Sequence, residues 1–415
     1  MPTVPSLGRG RGWALALCAT FTMAVSYLDR QTLAVLAPTV TAELRIDEQA
    51  YGWLVSAFSF AYFAGPPLAG RWLDRVGARR GLMLSVLLWS LVAGGHSLVT
   101  GFPMLVAMRL ALGLAESPSY PGAAQIIQRG LRPEDRPRAF GILFTGSSFG
   151  AMVAPPLATF FAGWLGWRGA FIGTALVGLS WVPLWIWLTR SSAARAALDQ
   201  APAAPAAATG RSEWLGLLRD PAVLRAGALV LAVAPFIGVV MNWGAKFLVR
   251  HHGLAPLDVG RYLWIPPLLY DGGSILFGHW ASRRANRVRD GSPARGLLAL
   301  ASLLTLALFA MPFAPTPLTA MLVAGVALVG GGGMFALLSS DMLARVPARL
   351  VSSASGLTAA AQSLSYIIVN PLVGRSVDRW HSFTPALIAL TLWVVPGTLL
   401  WLLWVPKTAD PAPAV

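Results

Sequence analysis

The sequence predicts an all-α membrane protein of twelve transmembrane helices in two six-helix halves. Three observations carry this. Of the 415 residues, 56% are hydrophobic and only 12% charged, and a water-soluble chain of this length needs far more charge to cover its surface. Runs without Asp, Glu, Lys or Arg recur at 139–167, 169–189, 226–245, 296–340 and 381–406, each long enough for at least one span of ~20 residues. One long Ala/Pro-rich segment, 190–222, divides the apolar stretches six and six. A β-barrel is excluded, because its segments are ~10 residues long and alternate apolar with polar.

In chain order the spans fall at about 13–38, 51–72, 82–100, 102–122, 138–163, 168–189, 223–248, 258–280, 296–314, 317–340, 350–373 and 383–405. The first is no cleavable signal, since its apolar run reaches ~25 residues, longer than a signal core. The second carries SFAYFAG, and the fourth meets Pro118 and Pro121, which should kink it. The fifth holds FTGSSFGAMVAPP, whose Gly and Pro suit tight packing and a bend. The linker ends in EWLGLLRDPAVLR, which reads equally as an interfacial amphipathic helix or as the start of the seventh span. The organisation is an N-terminal half at 1–189, a cytoplasmic linker at 190–222 with little to pack, and a C-terminal half at 223–415.

The net charge of +15 would suggest nucleic acid in a soluble protein, but here it has a topological source. An even number of spans puts both termini on one side. Of the 32 Lys and Arg, 23 lie on that side, 6 on the other and 3 within spans. The positive-inside rule then places both termini of this multi-pass chain in the cytoplasm. The expected partners are the bilayer and small solutes, not nucleic acid, and a functional monomer is expected.

A single cysteine, Cys18, excludes an internal disulfide and a Cys-based metal cage. No P-loop is present, so ATP-driven pumping is not expected, and no cofactor or metal is called for. Gly330–Gly333 lacks the following Lys-Ser/Thr and lies within a span, so close helix packing or a hinge is its reading. Ser147 and Ser148 have no His for a triad, His251 and His252 have no third ligand, and the chain is not read as an enzyme.

GRWLDRVGARRG (Gly70–Gly81) follows span two and GHWASRRANRVRDG (Gly278–Gly291) follows span eight. Both begin with Gly, place Trp two residues on and run into Arg clusters, as expected of an internal repeat. The pattern Gly70, Asp74, Arg75, Gly77, Arg79, Arg80 resembles the signature loop of the major facilitator superfamily, and Arg109-x-x-x-Gly113 its second motif. Tyr27, Asp29, Arg30 and Glu116, with RLALGLAESPSYPGA, FLV (Phe247–Val249) and SSD (Ser339–Asp341), resemble the anion:cation symporter family and its bacterial hexuronate and sugar-acid transporters. The second-half loop departs from the pattern, with Ser282 where the first half has Asp74.

Charges inside spans are costly, roughly 2.5–3.5 kcal/mol each at a helix centre on insertion scales, and default to function. Arg30 either snorkels to the outer interface or holds an anion; a guanidinium is well shaped to grip a carboxylate with two hydrogen bonds. In the resembled family this arginine binds the substrate's acid group, and the resemblance assigns that role to Arg30. Tyr27 and Tyr62 offer hydroxyls to a polyol or are interfacial aromatics. Arg109, Gly113, Glu116 and Tyr120 share one helix stripe, with Arg109 and Glu116 about 10 Å apart, so each needs a partner on another helix. Asp29 is an available acid for Arg109. The group is either a buried structural network or a proton-coupling set in which Asp29 and Glu116 carry protons and Arg109 is their switchable partner. Lys246 either snorkels or makes a second anion contact beside Asn242 and Trp243. Asp271 is read as a buried acid that pairs with a cation or with amides at a Gly272–Gly273 bend.

The resulting expectation is a secondary transporter importing an organic anion, a hexuronate or related sugar acid, with protons. The loop Gly70–Arg80 would act as a cytoplasmic latch. The alternative is a proton-driven exporter of the same fold.

Overall fold

The computed structural model describes residues 8–65, 69, 72–73, 76–132, 135–199, 216–287, 294–346 and 350–404. These are helical almost throughout, with no strand among the described residues. Among the described residues, eight helices are long and apolar enough to cross a membrane. One of them, within Arg136–Leu188, is interrupted at Gly166, whose φ of 68° is reached readily only without a Cβ, and so supplies two spans. Helix Glu48–Ala64, the pair Phe102–Glu116 and Ser119–Gly130, and helix Ile265–Arg287 complete the expected twelve.

Local chemistry sets the helix ends. Asp47 accepts the Ala50 N–H at 2.7 Å and caps Glu48–Ala64. The fourth span breaks at Ser117–Pro118, as its prolines require. Asp220 Oδ1 accepts the N–H groups of Ala222 (2.8 Å) and Val223 (3.2 Å), with Pro221 opening helix Pro221–His252. The PAVLR end of the linker is therefore the start of the seventh span. The eighth span lies later than expected: a 3-10 turn at Pro256–Arg261 precedes a helix that starts only at Ile265, with Pro266 and Pro267 in its first turn, and runs on to Arg287. Asp271, half-buried, sits within that continuous helix rather than at a bend.

The chain forms two compact units, Met1–Ala206 with Asn242–Trp264, and Ala207–Met241 with Ile265–Val415. In the first, the opening helix Arg9–Glu43 lies against Arg136–Leu188 so closely that a Cβ on Gly150 would strike the backbone of Ala24. Buried Trp181 donates from Nε1 to the Cys18 carbonyl at 2.9 Å. The linker's first stretch is not loose chain. Ser191 caps a helix Ser192–Leu198, and Leu198 is fully buried in the core of this unit. In the second unit, Gly332 faces the Tyr270 carbonyl and Gly333 the Phe277 ring, so the glycine run serves close helix packing.

Candidate functional site

Helix Glu48–Ala64 presents Glu48, Tyr51, Phe58 and Tyr62 at helical spacing. The charged groups of the first unit gather along this stripe. The Arg30 guanidinium lies over the rings of Tyr62 (4.1 Å), Tyr27 (4.7 Å) and Phe58 (5.1 Å), within cation–π range. Its Nε donates to Glu116 Oε2 at 2.6 Å, and the Ser26 hydroxyl donates to the same oxygen at 2.8 Å. The Glu116 side chain is fully buried and that of Arg30 is 12% exposed. Arg30 is thus no snorkelling residue: it is packed among aromatic rings and held by an acid from another helix.

Arg109 is buried over the other reach of Phe58, 4.8 Å from its ring. Asp29 is 2% exposed, yet neither carboxylate oxygen accepts a hydrogen bond among the described residues. Arg109 Nε and Nη1 also lack hydrogen-bond partners. The expected direct Asp29–Arg109 bond is therefore not formed; the two act on each other only through space, together with Glu116. Glu116 takes Arg30 instead, because Ser26 and Arg30, one helical turn apart, both face it. Tyr120 lies beyond the helix break, on Ser119–Gly130, within electrostatic reach of Tyr62.

Lys246 is paired with an acid of the same unit. It is 5% exposed and donates to Glu48 Oε2 at 2.6 Å, with its ammonium 5.0 Å from the Tyr51 ring. Arg250 adds a 3.3 Å contact to the other Glu48 oxygen. Tyr51 donates its hydroxyl to the Asn242 carbonyl at 2.6 Å and meets Trp243 edge-on at 4.8 Å. Glu48 escaped the sequence reading because the span was drawn from residue 51, and Tyr51, at its first position, read only as an aromatic at the span's edge. Ser26 and Phe58 escaped because a lone hydroxyl and a lone ring carry no pattern of their own.

The family model described as Major Facilitator Superfamily matches residues 19–369. The chain belongs to the major facilitator superfamily. Its likeness to solved structures agrees: a bacterial homologue of the human lysosomal transporter Spinster superposes with a TM-score of 0.81 at 18% identity, covering 96% of this chain and 100% of that one. At that identity the likeness shows the fold alone. Among relatives, the hexuronate transporter of Escherichia coli (strain K12) is 26% identical, covering 98% of this chain and 99% of the relative. The D-galactonate transporter of Escherichia coli O6:H1 is 25% identical over 95% and 96%. The galacturonate transporter of Dickeya chrysanthemi is 27% identical over 65% and 81%. This is a family of membrane transporters, and the chain is a transporter, not an enzyme.

In the superfamily's signature loop, Gly70, Asp74 and Arg75 lie outside the described residues. Gly77 has a φ of 85° and opens helix Ala78–Gly95. Arg79 grips the Asp199 carboxylate with both Nε and Nη2, the latter at 2.7 Å, while Arg80 is exposed. Arg129 donates to the Leu198 carbonyl at 2.8 Å, so the linker helix is tied down at its end. In this superfamily member's second unit, Arg225 is fully buried, although its position suggests a cytoplasmic surface charge. It bonds Asp341 at 3.0 Å, donates twice to the Trp401 carbonyl and lies 3.7 Å over the Trp401 ring. Arg345 holds the other Asp341 oxygen, so the SSD acid sits between two guanidinium groups. Among the described residues no three His, Cys, Asp or Glu are grouped to hold a metal ion.

Proposed function

We propose that the chain is a proton-coupled symporter that brings an organic anion, a hexuronate or related sugar acid, into the cell by alternating access. The observation that carries this reading is the buried pair of Arg30 and Glu116 under the rings of Tyr27, Phe58 and Tyr62. A guanidinium already bound by a carboxylate is a receptor for a second carboxylate once the first is neutralised. A proton on Glu116 cancels its charge, weakens its hold on Arg30 and leaves the guanidinium to the substrate's acid group. Arg30 Nη2 is buried without a partner among the described residues and is the natural second donor of a two-point grip. The hydroxyls of Tyr27 and Tyr62, whose rings flank Arg30, are placed to read a polyol. Lys246, paired with Glu48, and Asn242, whose backbone carbonyl accepts from Tyr51, are the further substrate contacts in this reading.

Electrical arithmetic supports coupling. Bringing an anion into a negative-inside cell costs about 2.3 kcal/mol per charge per 100 mV. One proton cancels the charge and a second makes the potential help; Asp29 and Glu116 supply two carriers, with Arg109 acting on both through space. The relatives' names, hexuronate, galacturonate and D-galactonate transporter, support a sugar-acid substrate. The charge asymmetry of the loops supports cytoplasmic termini; the reading further takes the chain as a bacterial inner-membrane monomer with halves at 1–189 and 223–415 and the Gly70–Arg80 loop as its cytoplasmic latch.

The deciding experiment is uptake of radiolabelled glucuronate, galacturonate and galactonate into proteoliposomes, with and without an imposed pH gradient. Accumulation that collapses when the gradient is dissipated is expected. Folded protein that takes up none of the three, or takes one up with no response to the gradient, overturns the reading.

A further inference from the structure

We propose that an ordered water binds between Asp29 and Ser90 beside Gly178, and that Ser90 is a positioning residue for the Asp29 proton. The inference rests on the reading of Asp29 as a proton carrier. Three helices meet here: Arg9–Glu43 brings Asp29, Ala78–Gly95 brings Ser90, and Arg136–Leu188 brings Gly178. Asp29 is 2% exposed and Ser90 fully buried, and among the described residues neither Asp29 oxygen nor Ser90 Oγ has a hydrogen-bond partner. The orphaned atoms point to one place. A Cβ on Gly178 would lie 2.6 Å from Ser90 Oγ and 3.6 Å from Asp29 Oδ2. Ser90 Oγ and Asp29 Oδ2 therefore border one place, which a side chain at 178 could not enter, and Val25 Cγ1, 3.0 Å from the same point, closes it on a third side.

Buried polar groups are almost always hydrogen-bonded, and a polar niche with converging partners is where an internal water sits. Water fits better than a metal cation. The charged groups acting on Asp29 are Glu116 and Arg109, both on helix Phe102–Glu116, and the Arg109 guanidinium already provides a positive charge. The other two helices present Ser90 and Gly178, which do not titrate. In the proposed arrangement Ser90 O–H donates to the water oxygen, and the water donates to Asp29 Oδ2. Both bonds favour the ionised carboxylate, so Ser90 governs how readily Asp29 releases its proton.

The test is the pH profile of uptake in proteoliposomes for the wild type, Ser90→Ala, Ser90→Thr and Asp29→Asn. It is paired with infrared difference spectra of the carboxyl C=O stretch, in which the Asp29 band is the one lost in Asp29→Asn. Ser90→Ala is expected to move the uptake midpoint about half a pH unit higher, roughly a threefold tighter proton, and to shift the Asp29 band. Ser90→Thr, which keeps the hydroxyl, is expected to restore both. An unchanged profile and an unchanged band in Ser90→Ala would overturn the bridge. So would uptake that requires sodium over potassium at fixed pH, which would give the niche to a cation. If Asp29→Asn leaves the pH dependence intact, the proton-carrier reading fails by itself, while the infrared band still decides whether Ser90 and water contact Asp29.

Discussion

Glu116 holds Arg30 through a 2.6 Å ion pair, and the same Glu116 oxygen also accepts the Ser26 hydroxyl at 2.8 Å. One fully buried acid thus organises two side chains, one helical turn apart on the first helix. The neighbouring acid, Asp29, has no hydrogen-bonded cation among the described residues. The two intramembrane acids therefore stand in different environments, although the sequence offers them as equivalents.

Arg30→Lys keeps the charge but loses the planar fork that binds a carboxylate at two points. Hydrogen bonds to charged groups are worth about 1.5–3 kcal/mol, so KM for the sugar acid is expected to rise roughly ten- to a hundredfold. Uptake kinetics on reconstituted protein measure this. A KM within twofold of wild type would remove Arg30 from the binding site.

Glu116→Gln keeps the shape and the acceptor oxygen but cannot gain or lose a proton. Exchange of labelled for unlabelled substrate is expected to persist, while accumulation driven by a pH gradient disappears. Gradient-driven accumulation at wild-type level in this variant would mean that the coupling proton travels elsewhere.

Lys246→Ala strands the Glu48 carboxylate, whose side chain is only 14% exposed. Breaking a buried pair from one side typically costs about 3–5 kcal/mol. Part of that is retained here, because Arg250 also reaches Glu48. Thermal unfolding in detergent is expected to show a clear drop in midpoint, with much of it recovered in the double variant Lys246→Met, Glu48→Gln. No recovery in the double variant would show that packing, not charge, is what Lys246 supplies.

Leu198→Ala removes a fully buried side chain from the end of helix Ser192–Leu198. Such truncations cost about 2–5 kcal/mol where the site cannot collapse. The loss is expected to be local, read as faster amide exchange across 192–198 with the membrane helices unchanged. Asp199→Ala, which releases only the partly exposed Arg79 pair, is expected to cost below about 1 kcal/mol.

Much of this molecule is legible in one dimension. The hydropathy runs mark the helices, because each must satisfy its own backbone in lipid over a fixed thickness. Pro118 and Gly166 break spans four and five/six for reasons that belong to those residues alone. Errors fall where local signals compete. The eighth span begins at Ile265 rather than 258 because prolines 266 and 267 open a helix more readily than they continue one. The linker looked structureless by composition, yet Ser191 caps a helix that Leu198 anchors.

By itself the sequence determined that this chain is an all-helical membrane protein of the major facilitator type, and that Asp29, Arg30, Arg109 and Glu116 are charges set in apolar helices. Only the tertiary structure decided who partners whom: Arg30 with Glu116, Lys246 with Glu48, Arg225 with Asp341 and Trp401, and Asp29 facing Ser90 and Gly178. Hydrophobic periodicity fixes how far a side chain lies along its helix and on which stripe. An ion pair between helices depends further on which stripe of which neighbour comes within about 3 Å, and that is set by packing between segments distant in sequence.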